Sequence, residues 1–519
     1  MIDHTLNSPW WLALGVGAGA GLVLTRAARN LAVRVGLVDT PDGWRKIHVR
    51  PVPAVGGVAV LLATVIAVVV AVGADPELAA MVSNDARRAG ALLAAAVTIT
   101  AVGFVDDRYN LRARHKLVGQ VAAALILVLG GGYLIERISV FGMIVEFGPL
   151  AGLATVFWLL ACVNALNLID GMDGLLGTVA VTGLGTLAVI ALLAGQVFAG
   201  VVALALCGAV VGFLWFNLPP ATIYMGDAGS MLVGLVIGAL AIPAFLKGPA
   251  TVALICPVAI LILPVLDTSA AIIRRKLTGR GLAIADRGHL HHVLLRHGLT
   301  VPRVLVLVAA LGLVASAGAL ASTALHNDLY ALVGAFGVVI TLLSTRLFGH
   351  AEFHLVCKRV GLVLRVALGR GTPAGAELAI RLQGSIDWDQ VWSELSGAAM
   401  DADLQSLALD VNAPSLHENY HAQWDRPVRA ISDAHWWRVE IPLFTQGHLL
   451  GRLAITGWRD DRPIGDTLQR LARIVEATEL RAAALTAVAW RPAGFTDASL
   501  PRSGDAGATC GHSKTGLVH

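Results

Sequence analysis

The chain has 519 residues, 56% of them hydrophobic and only 14% charged, with a formal net charge of +4 and a mean hydropathy of +0.72. So little charge excludes a soluble protein of this length, and the small net charge gives no footing for a nucleic-acid partner. The five cysteines, Cys162, Cys207, Cys256, Cys357 and Cys510, make no C-x-x-C pair, which excludes a disulfide framework or a zinc knuckle.

Apolar runs of the roughly 20 residues that cross a hydrocarbon core recur from residue 9 to residue 347. The first, from Trp10, follows the acidic Asp3 and lacks a basic leader and a cleavage site, so it reads as an uncleaved span. The length criterion gives about eleven spans. They centre near Gly17, Thr64, Val97, Leu125, Leu159, Leu187, Ala209, Ala239, Ile260, Leu313 and Val338. Alternate loops are basic, carrying Arg26, Arg29, Arg34, Arg45, Lys46 and Arg50, then Arg112, Arg114 and Lys116, then Arg274, Arg275, Lys276, Arg280 and Arg287. Positive charge marks the cytoplasmic side, so the N-terminus is expected outside and the C-terminus inside.

Between the fourth and fifth spans, Glu136 to Phe147 alternates and is rich in β-branched residues, which predicts a small external hairpin. After Phe348 the composition changes, and residues 348–374 read as a linker. Residues 375–487 read as a cytoplasmic α+β domain. In it Val439–Ile441 and Leu453–Ile455 alternate as two strands, and Leu468, Leu471, Ile474 and Val475 fall at helical spacing. Residues 488–519, rich in Pro, Gly, Ser and Thr, read as a disordered tail. The expected architecture is thus a polytopic α-helical membrane protein over residues 1–347 with an appended α+β domain.

Polar clusters stand at the ends of spans, all on the face assigned to the cytoplasm. Asp106 and Asp107 close the third span, with Lys116 after them. Asn164, Asn167 and Asp170 follow one another at i, i+3 spacing, so a continuing helix would place them on one face, with Asp173 on the glycine-flanked turn beyond. Asp227 stands between Gly226 and Gly229 just before a span. Carboxylates and amide oxygens without thiolates suit a hard cation such as Mg²⁺, with Mn²⁺ as the alternative. His289, His291 and His292 lie among Arg287 and Arg296, and Arg45, Lys46 and His48 lie in the first basic loop. Imidazoles and guanidiniums make an anion site, although His289-x-His291 would also supply two ligands to zinc. Taken singly each cluster is an ordinary loop. Gathered on one membrane face, a cation set and two basic sets fit phosphoryl transfer.

These clusters resemble the motifs of the polyprenyl-phosphate N-acetylhexosamine-1-phosphate transferases, which are related to phospho-muramoyl-pentapeptide transferase. The matching patterns are D-D-x-x-x-L-x-x-x-x-K at Asp106 to Lys116, N-x-x-N-x-x-D-G-x-D-G-L at Asn164 to Leu175, and M-G-D-x-G-S at Met225 to Ser230. H-x-H-H stands at His289 to His292 and R-K-x-H at Arg45 to His48. They cover residues 1 to about 347, and the H-x-H-H form resembles the branch that uses UDP-N-acetylhexosamine. The resemblance implies attack of a polyprenyl phosphate on the sugar-linked phosphorus of a UDP-sugar, N-acetylglucosamine being the expected sugar, with release of UMP. It implies Asn167 and Asp227 as Mg²⁺ ligands and Asp106 or Asp107 as the group that orients or deprotonates the lipid phosphate. Asp170 and Asp173 would contact nucleotide or metal. Arg45, Lys46, His48, Lys116, Asn164, Arg287, His289, His291 and His292 would bind substrate. The implied setting is a bacterial inner membrane with the site on its cytoplasmic face and a homodimer as an open option. One departure stands out: Gly281 to Ala285 reads GLAIA where many relatives carry Ser-Pro-Phe, which bears on sugar specificity.

Two rival classes remain. A transporter would hold ionisable groups near the bilayer midplane in inverted repeats, and no inverted repeat is visible. A sensor or pseudo-enzyme would act through residues 375–487, which resemble a GAF-type module only weakly.

Overall fold

The apolar runs form helices because no polar backbone group can be left unpaired in hydrocarbon. The computed structural model of the chain describes residues 10–37, 52–140, 143–246, 255–277, 288–350, 376–383, 388–401, 404–413, 418–425, 436–445 and 448–458, with short pieces between 352 and 364 and single residues between 469 and 476. It divides into two compact units, one of Met1–Pro373 with Ile380–Gln383, the other of Ala374–Ala379 with Gly384–His519.

In the first unit, among the described residues, nine helices are long and apolar enough to cross a membrane. They are α1 (Trp10–Arg34), α2 (Gly56–Ala74), α4 (Ala86–Tyr109), α5 (Ala113–Leu125, extended by a π turn over Ile126–Gly130), α6 (Ala151–Ile169), α7 (Leu175–Leu193), α8 (Val197–Asn217), α9 (Gly226–Leu246) and α13 (Val301–Leu325). The short α3 (Pro76–Asn84) starts where Asp75 accepts from the Glu77 amide, with Pro76 at the first helical position. The other two expected spans are shorter helices. Val338 falls in α14 (Leu329–Ser344), 16 residues long. Ile260 ends α10 (Ile255–Ile260), and the chain restarts after Leu261 as α11 (Ile262–Leu277). Pro264 explains the break: it has no N–H to bond the Ile260 carbonyl, and its ring crowds that carbonyl.

α1 and α8 cross with backbones nearly touching, through Gly17 and Gly21 on one and Gly208 and Gly212 on the other. A Cβ on Gly17 would lie 2.5 Å from the Ala205 carbonyl oxygen. α9 is the central helix, buried from Met231 to Ile242 on almost every side. The hairpin expected between α5 and α6 is present: β1 (Arg137–Val140) pairs antiparallel with β2 (Met143–Glu146), Ile138 opposite Val145.

The second unit holds α15 (Trp388–Asp401) and strands β4 (Ser406–Ala413), β5 (Glu418–Asp425), β6 (Trp436–Thr445) and β7 (His448–Trp458), while the residues of β3 (Ala376–Gln383) are divided between the two units. The sheet order is β3-β5-β4-β7-β6. Period-2 alternation puts Leu407, Leu409 and Val411 of β4, Tyr420, Ala422 and Trp424 of β5, and Leu453 and Ile455 of β7 in one core with Trp388 and Trp392 of α15. The two alternating runs seen in the sequence are directly paired, Val439 with Ile455 and Ile441 with Leu453. The expected helix around Leu468 lies mostly outside the described residues, and the expected tail lies wholly outside them.

Candidate active site

Three chain segments far apart in sequence meet at one end of the helix bundle. α4 brings Asp106 and Asp107, the α6–α7 turn brings Asp170 and Asp173, and the first turn of α9 brings Asp227. Asp107 closes the junction. One of its oxygens accepts from the Asp227 amide at 2.8 Å and the other from the Ala228 amide at 3.1 Å. These are orphan donors at a helix start, where the helix dipole also favours an anion. Gly226 is required beside it, because its φ is +70° and a Cβ would meet the Asp107 carboxylate.

Lys116 stands at the centre. Its ammonium pairs with Asp106 Oδ2 at 2.9 Å, with Asp227, and with Asn167 Oδ1 at 3.1 Å. Asp106 uses its other oxygen to accept from the Leu111 amide at 2.7 Å, so it also fixes the turn after α4. The Asn167 amide nitrogen donates to Asp227 Oδ1 at 2.7 Å and to Ser230 Oγ at 2.8 Å, which orients the Asp227 carboxylate. Asp173 Oδ2 accepts from the Ala221 amide at 2.9 Å and ties the α6–α7 turn to the loop before α9.

Asp170 differs from its neighbours. Among the described residues it has no hydrogen bond and no ion pair. Burial, and then the negative charges of Asp227, Asp107 and Asp173, push its carboxyl up to about 8. Five carboxylates thus face one ammonium among the described residues, and one of them has no partner. Oxygen donors with surplus negative charge fit a hard divalent cation. No three of the described acidic, His or Cys residues form a ready cage.

The histidine segment lies against this basin. The His291 ring packs on Gly171, next to Asp170, where a side-chain carbon would overlap it. His291 is buried, and among the described residues neither ring nitrogen has a hydrogen-bond partner. Burial first, then His292 and His289, hold it well below the usual histidine value, so it stays neutral. The three rings are close, His291 at 6.3 Å from His289 and 4.2 Å from His292. His289 Nδ1 lies 2.9 Å from Asp267 Oδ2, and Asp267 also accepts from the Leu290 amide at 2.8 Å, where the short α12 (Leu290–Arg296) begins.

The structure therefore brings together Asp106, Asp107, Lys116, Asn167, Asp170, Asp173, Asp227 and His291. Asn164 lies one turn further from the basin than Asn167 on the face of α6 toward α5: its amide nitrogen bonds Gln120 at 3.0 Å and the Leu160 carbonyl at 2.8 Å. Arg45, Lys46, His48 and Arg287 lie outside the described residues. Sequence reasoning missed Gln120, Ser230, Asp267 and Asn217, which bridges Gly174 N and the Ile223 carbonyl. The signal for both was available, since Gln120 is a lone polar residue and Asp267 a lone charge within an apolar run. A separate cavity of about 370 Å³, lined by Asp85, Arg88, Tyr133 and Gln196 among others, opens at the opposite ends of α4 and α9 and holds none of these residues.

The pattern of the family described as Glycosyl transferase family 4 matches residues 89–244, which include all the basin carboxylates and Lys116. A Bacillus subtilis protein named "Probable undecaprenyl-phosphate N-acetylglucosaminyl 1-phosphate transferase" is 34% identical over 307 residues, 58% of this chain and 81% of that one. The chain belongs to glycosyl transferase family 4. Decaprenyl-phosphate N-acetylglucosaminephosphotransferase of Mycolicibacterium smegmatis is 33% identical, over 64% of this chain and 87% of that one. Undecaprenyl-phosphate alpha-N-acetylglucosaminyl 1-phosphate transferase of Escherichia coli K12 is 29% identical, over 57% and 79%. The resemblance drawn from the motifs is borne out by these relatives.

Proposed function

We propose that the chain transfers N-acetylglucosamine 1-phosphate from its UDP-linked form to a polyprenyl phosphate at the basin around Lys116. The observation that carries this reading is the convergence of Asp106, Asp170, Asp227 and Lys116 at the ends of spans. A lipid phosphate arriving from the bilayer and a nucleotide arriving from water can meet only at such a boundary. Carboxylates at helix ends, and not at helix midpoints, also speak against a transporter. In the reaction, an oxygen of the lipid phosphate bonds to the sugar-linked phosphorus. The bond from that phosphorus to the bridging oxygen breaks, and UMP leaves with that oxygen and the electron pair. The lipid phosphate has its second pKa near about 6, so it arrives mostly as a dianion and needs a carboxylate for position more than for proton removal.

Asp227, Asp170 and the Asn167 side-chain oxygen are the donors that would hold Mg²⁺ or Mn²⁺. When bound, the ion neutralises charge on the diphosphate oxygens and on the departing UMP. Asn167 and Ser230 keep the Asp227 carboxylate oriented. Asp107 fixes the start of α9, which carries Asp227. Lys116 pairs with both Asp106 and Asp227 and offers its charge to phosphate. His291, neutral, is free to share a proton with a phosphate oxygen. Arg45, Lys46, His48 and Arg287 are assigned to the substrate phosphates on their motif positions.

The site is assigned to the cytoplasmic face of a bacterial inner membrane on the positive loops. Reporter fusions at His4 and Arg381 test this, with His4 outside and Arg381 inside. The reaction itself is tested with the purified chain, polyprenyl phosphate, Mg²⁺ and radiolabelled UDP-N-acetylglucosamine. A lipid-linked sugar phosphate of the expected mass supports the reading. Its absence with every UDP-sugar tried would sink it.

A further inference from the structure

We propose that the end of the bundle away from the basin holds a specific site for a phospholipid whose head group carries both a phosphate and an ammonium. The proposal is independent of the transferase reading and concerns the opposite ends of the same helices.

Two cavities adjoin there. The first, of about 370 Å³, is lined by Asp85, Arg88, Tyr133, Glu136, Arg137 and Gln196 among others. The second, of about 240 Å³, is an apolar groove lined by α2, α4, α8 and α9, and Val82, Ala89 and Phe198 line both. Val69 of α2 and Leu93 of α4 are exposed, whereas Val202 of α8 and Leu232 and Val236 of α9 are buried. The groove therefore opens sideways between α2 and α4, on the surface that faces hydrocarbon. Leu61 and Val69 both line it and stand eight residues apart. At the helical rise it runs about 12 Å along α2, close to the roughly 15 Å of one leaflet's hydrocarbon.

The polar cavity presents groups that the fold itself does not use. Tyr133 is only 5% exposed, and among the described residues its hydroxyl makes no hydrogen bond. Burial pushes that hydroxyl up to about 12, with the charges of Arg88 and Asp85 the next influences on it, so it stays protonated beside both. A buried hydroxyl without a partner is unfavourable. Among the described residues the side chains of Glu136, Arg137 and Gln196 have no hydrogen bond or ion pair either, while Arg88 pairs with Asp85 at 3.4 Å. Two bases and two acids leave the cavity without net charge, and its carboxylates would repel a purely anionic head group. A head group with both charges is answered in full. Arg88, Arg137 and the Tyr133 hydroxyl donate to its phosphate, and Asp85 and Glu136 accept from its ammonium. One acyl chain then passes Val82 and Phe198 into the groove. A water-soluble phosphate ester would leave the groove empty, and a bare hydrocarbon would leave Tyr133 unpartnered. A lipid seated this way packs on α4 and α9, whose other ends carry Asp107 and Asp227.

The test uses the full chain in mixed micelles with phosphatidylethanolamine or with phosphatidylglycerol of the same acyl chains, and native mass spectrometry counts the lipid retained. One phosphatidylethanolamine per chain should be held at about 10-fold lower lipid concentration than phosphatidylglycerol, the size of one charge-assisted hydrogen bond. Tyr133→Phe and Arg137→Gln should each weaken that retention by about 5-fold. Gly90 lines the groove, and a Cβ there meets nothing within 4 Å. Gly90→Leu should therefore fill the groove without a clash and weaken retention on the order of 10-fold. Val306→Leu, on the exposed face of α13, should change nothing. Equal retention of both lipids, unmoved by any of the variants, would mean annular lipid only and overturns the proposal. So does a preference for phosphatidylglycerol. Glycerophosphoethanolamine, which has no acyl chains, should not compete, and competition by it at the same concentration overturns the lipid assignment. If Gly90→Leu fails to fold, Tyr133→Phe and Arg137→Gln still decide.

Discussion

The basin and the polar face of the C-terminal sheet are built from the same residue types and come out differently. On the sheet, Asp410 of β4 stands opposite Arg452 of β7 and His421 of β5, at 3.4 Å and 3.7 Å. Glu440 of β6 pairs with Arg438 at 2.5 Å and with Arg452 at 3.3 Å. Asp410 and Glu440 each have a base across the ladder or two residues along the strand, so their charges are answered within the sheet. The basin gathers five carboxylates around Lys116 and leaves Asp170 with no partner among the described residues. Leftover charge of one sign, and not the number of charged groups, separates a site from a solvated face.

The largest expected effect tests that surplus directly. Asp227→Asn should lower kcat by about 10³-fold or more, since it removes one oxyanion from the centre of the set. Near-normal turnover at ordinary Mg²⁺ would break the comparison. Lys116→Met should lower kcat/KM by about 10²-fold and leave three polar side chains without their shared cation, and steady-state kinetics with both substrates check it. On the sheet, Asp410→Asn should keep transferase activity within about twofold while lowering stability by about 1–3 kcal/mol. Thermal unfolding followed at tryptophan reads the second quantity, and a large loss of turnover would show that the sheet serves the chemistry.

The smallest effect is a slope with pH. With divalent cations chelated, Asp170 holds its proton to about 8 in the folded chain, against the ordinary 3.8. Between those values the native state binds more protons than the unfolded state, so stability should fall as pH rises and level off above about 8. Unfolding midpoints in chelator from about pH 5 to about pH 9 should show the fall, and Asp170→Asn should flatten it. An unchanged slope in that variant would assign the proton elsewhere.

Much of this was legible in the sequence. Span-length apolar runs gave the helices, and alternation gave the pairing of Val439 with Ile455 and Ile441 with Leu453. The motifs named the basin acids, because carboxylates at span ends are rare enough to stand out. What periodicity could not reveal was which acid does what. Asp106 and Asp107 are neighbours in sequence, yet one binds Lys116 and the other caps a helix. That division depends on partners 10 and 120 residues away. The i, i+3 spacing put Asn164 on the face of Asn167, and the partner it meets there, Gln120 of α5, could not be read from that spacing. The span expected at Ile260 missed the local effect of Pro264, which splits it and frees α11 to carry Asp267 and Arg274 to the histidine segment.

The cap that Asp107 places on α9 also bears on biogenesis. The two residues it joins, Asp107 and Asp227, are 120 positions apart, so while the chain is being made α4 enters the membrane long before α9 exists. Through that interval the Asp106–Asp107 pair has neither Asp227 nor the amides it will bind. The basin comes into being only as α9 is inserted beside α4, and the same contact that begins the late helix delivers its carboxylate. A chain stalled or cut before residue 226 would therefore carry the acidic half of the site without the residue that completes it, and an incomplete chain would be inert toward nucleotide sugars.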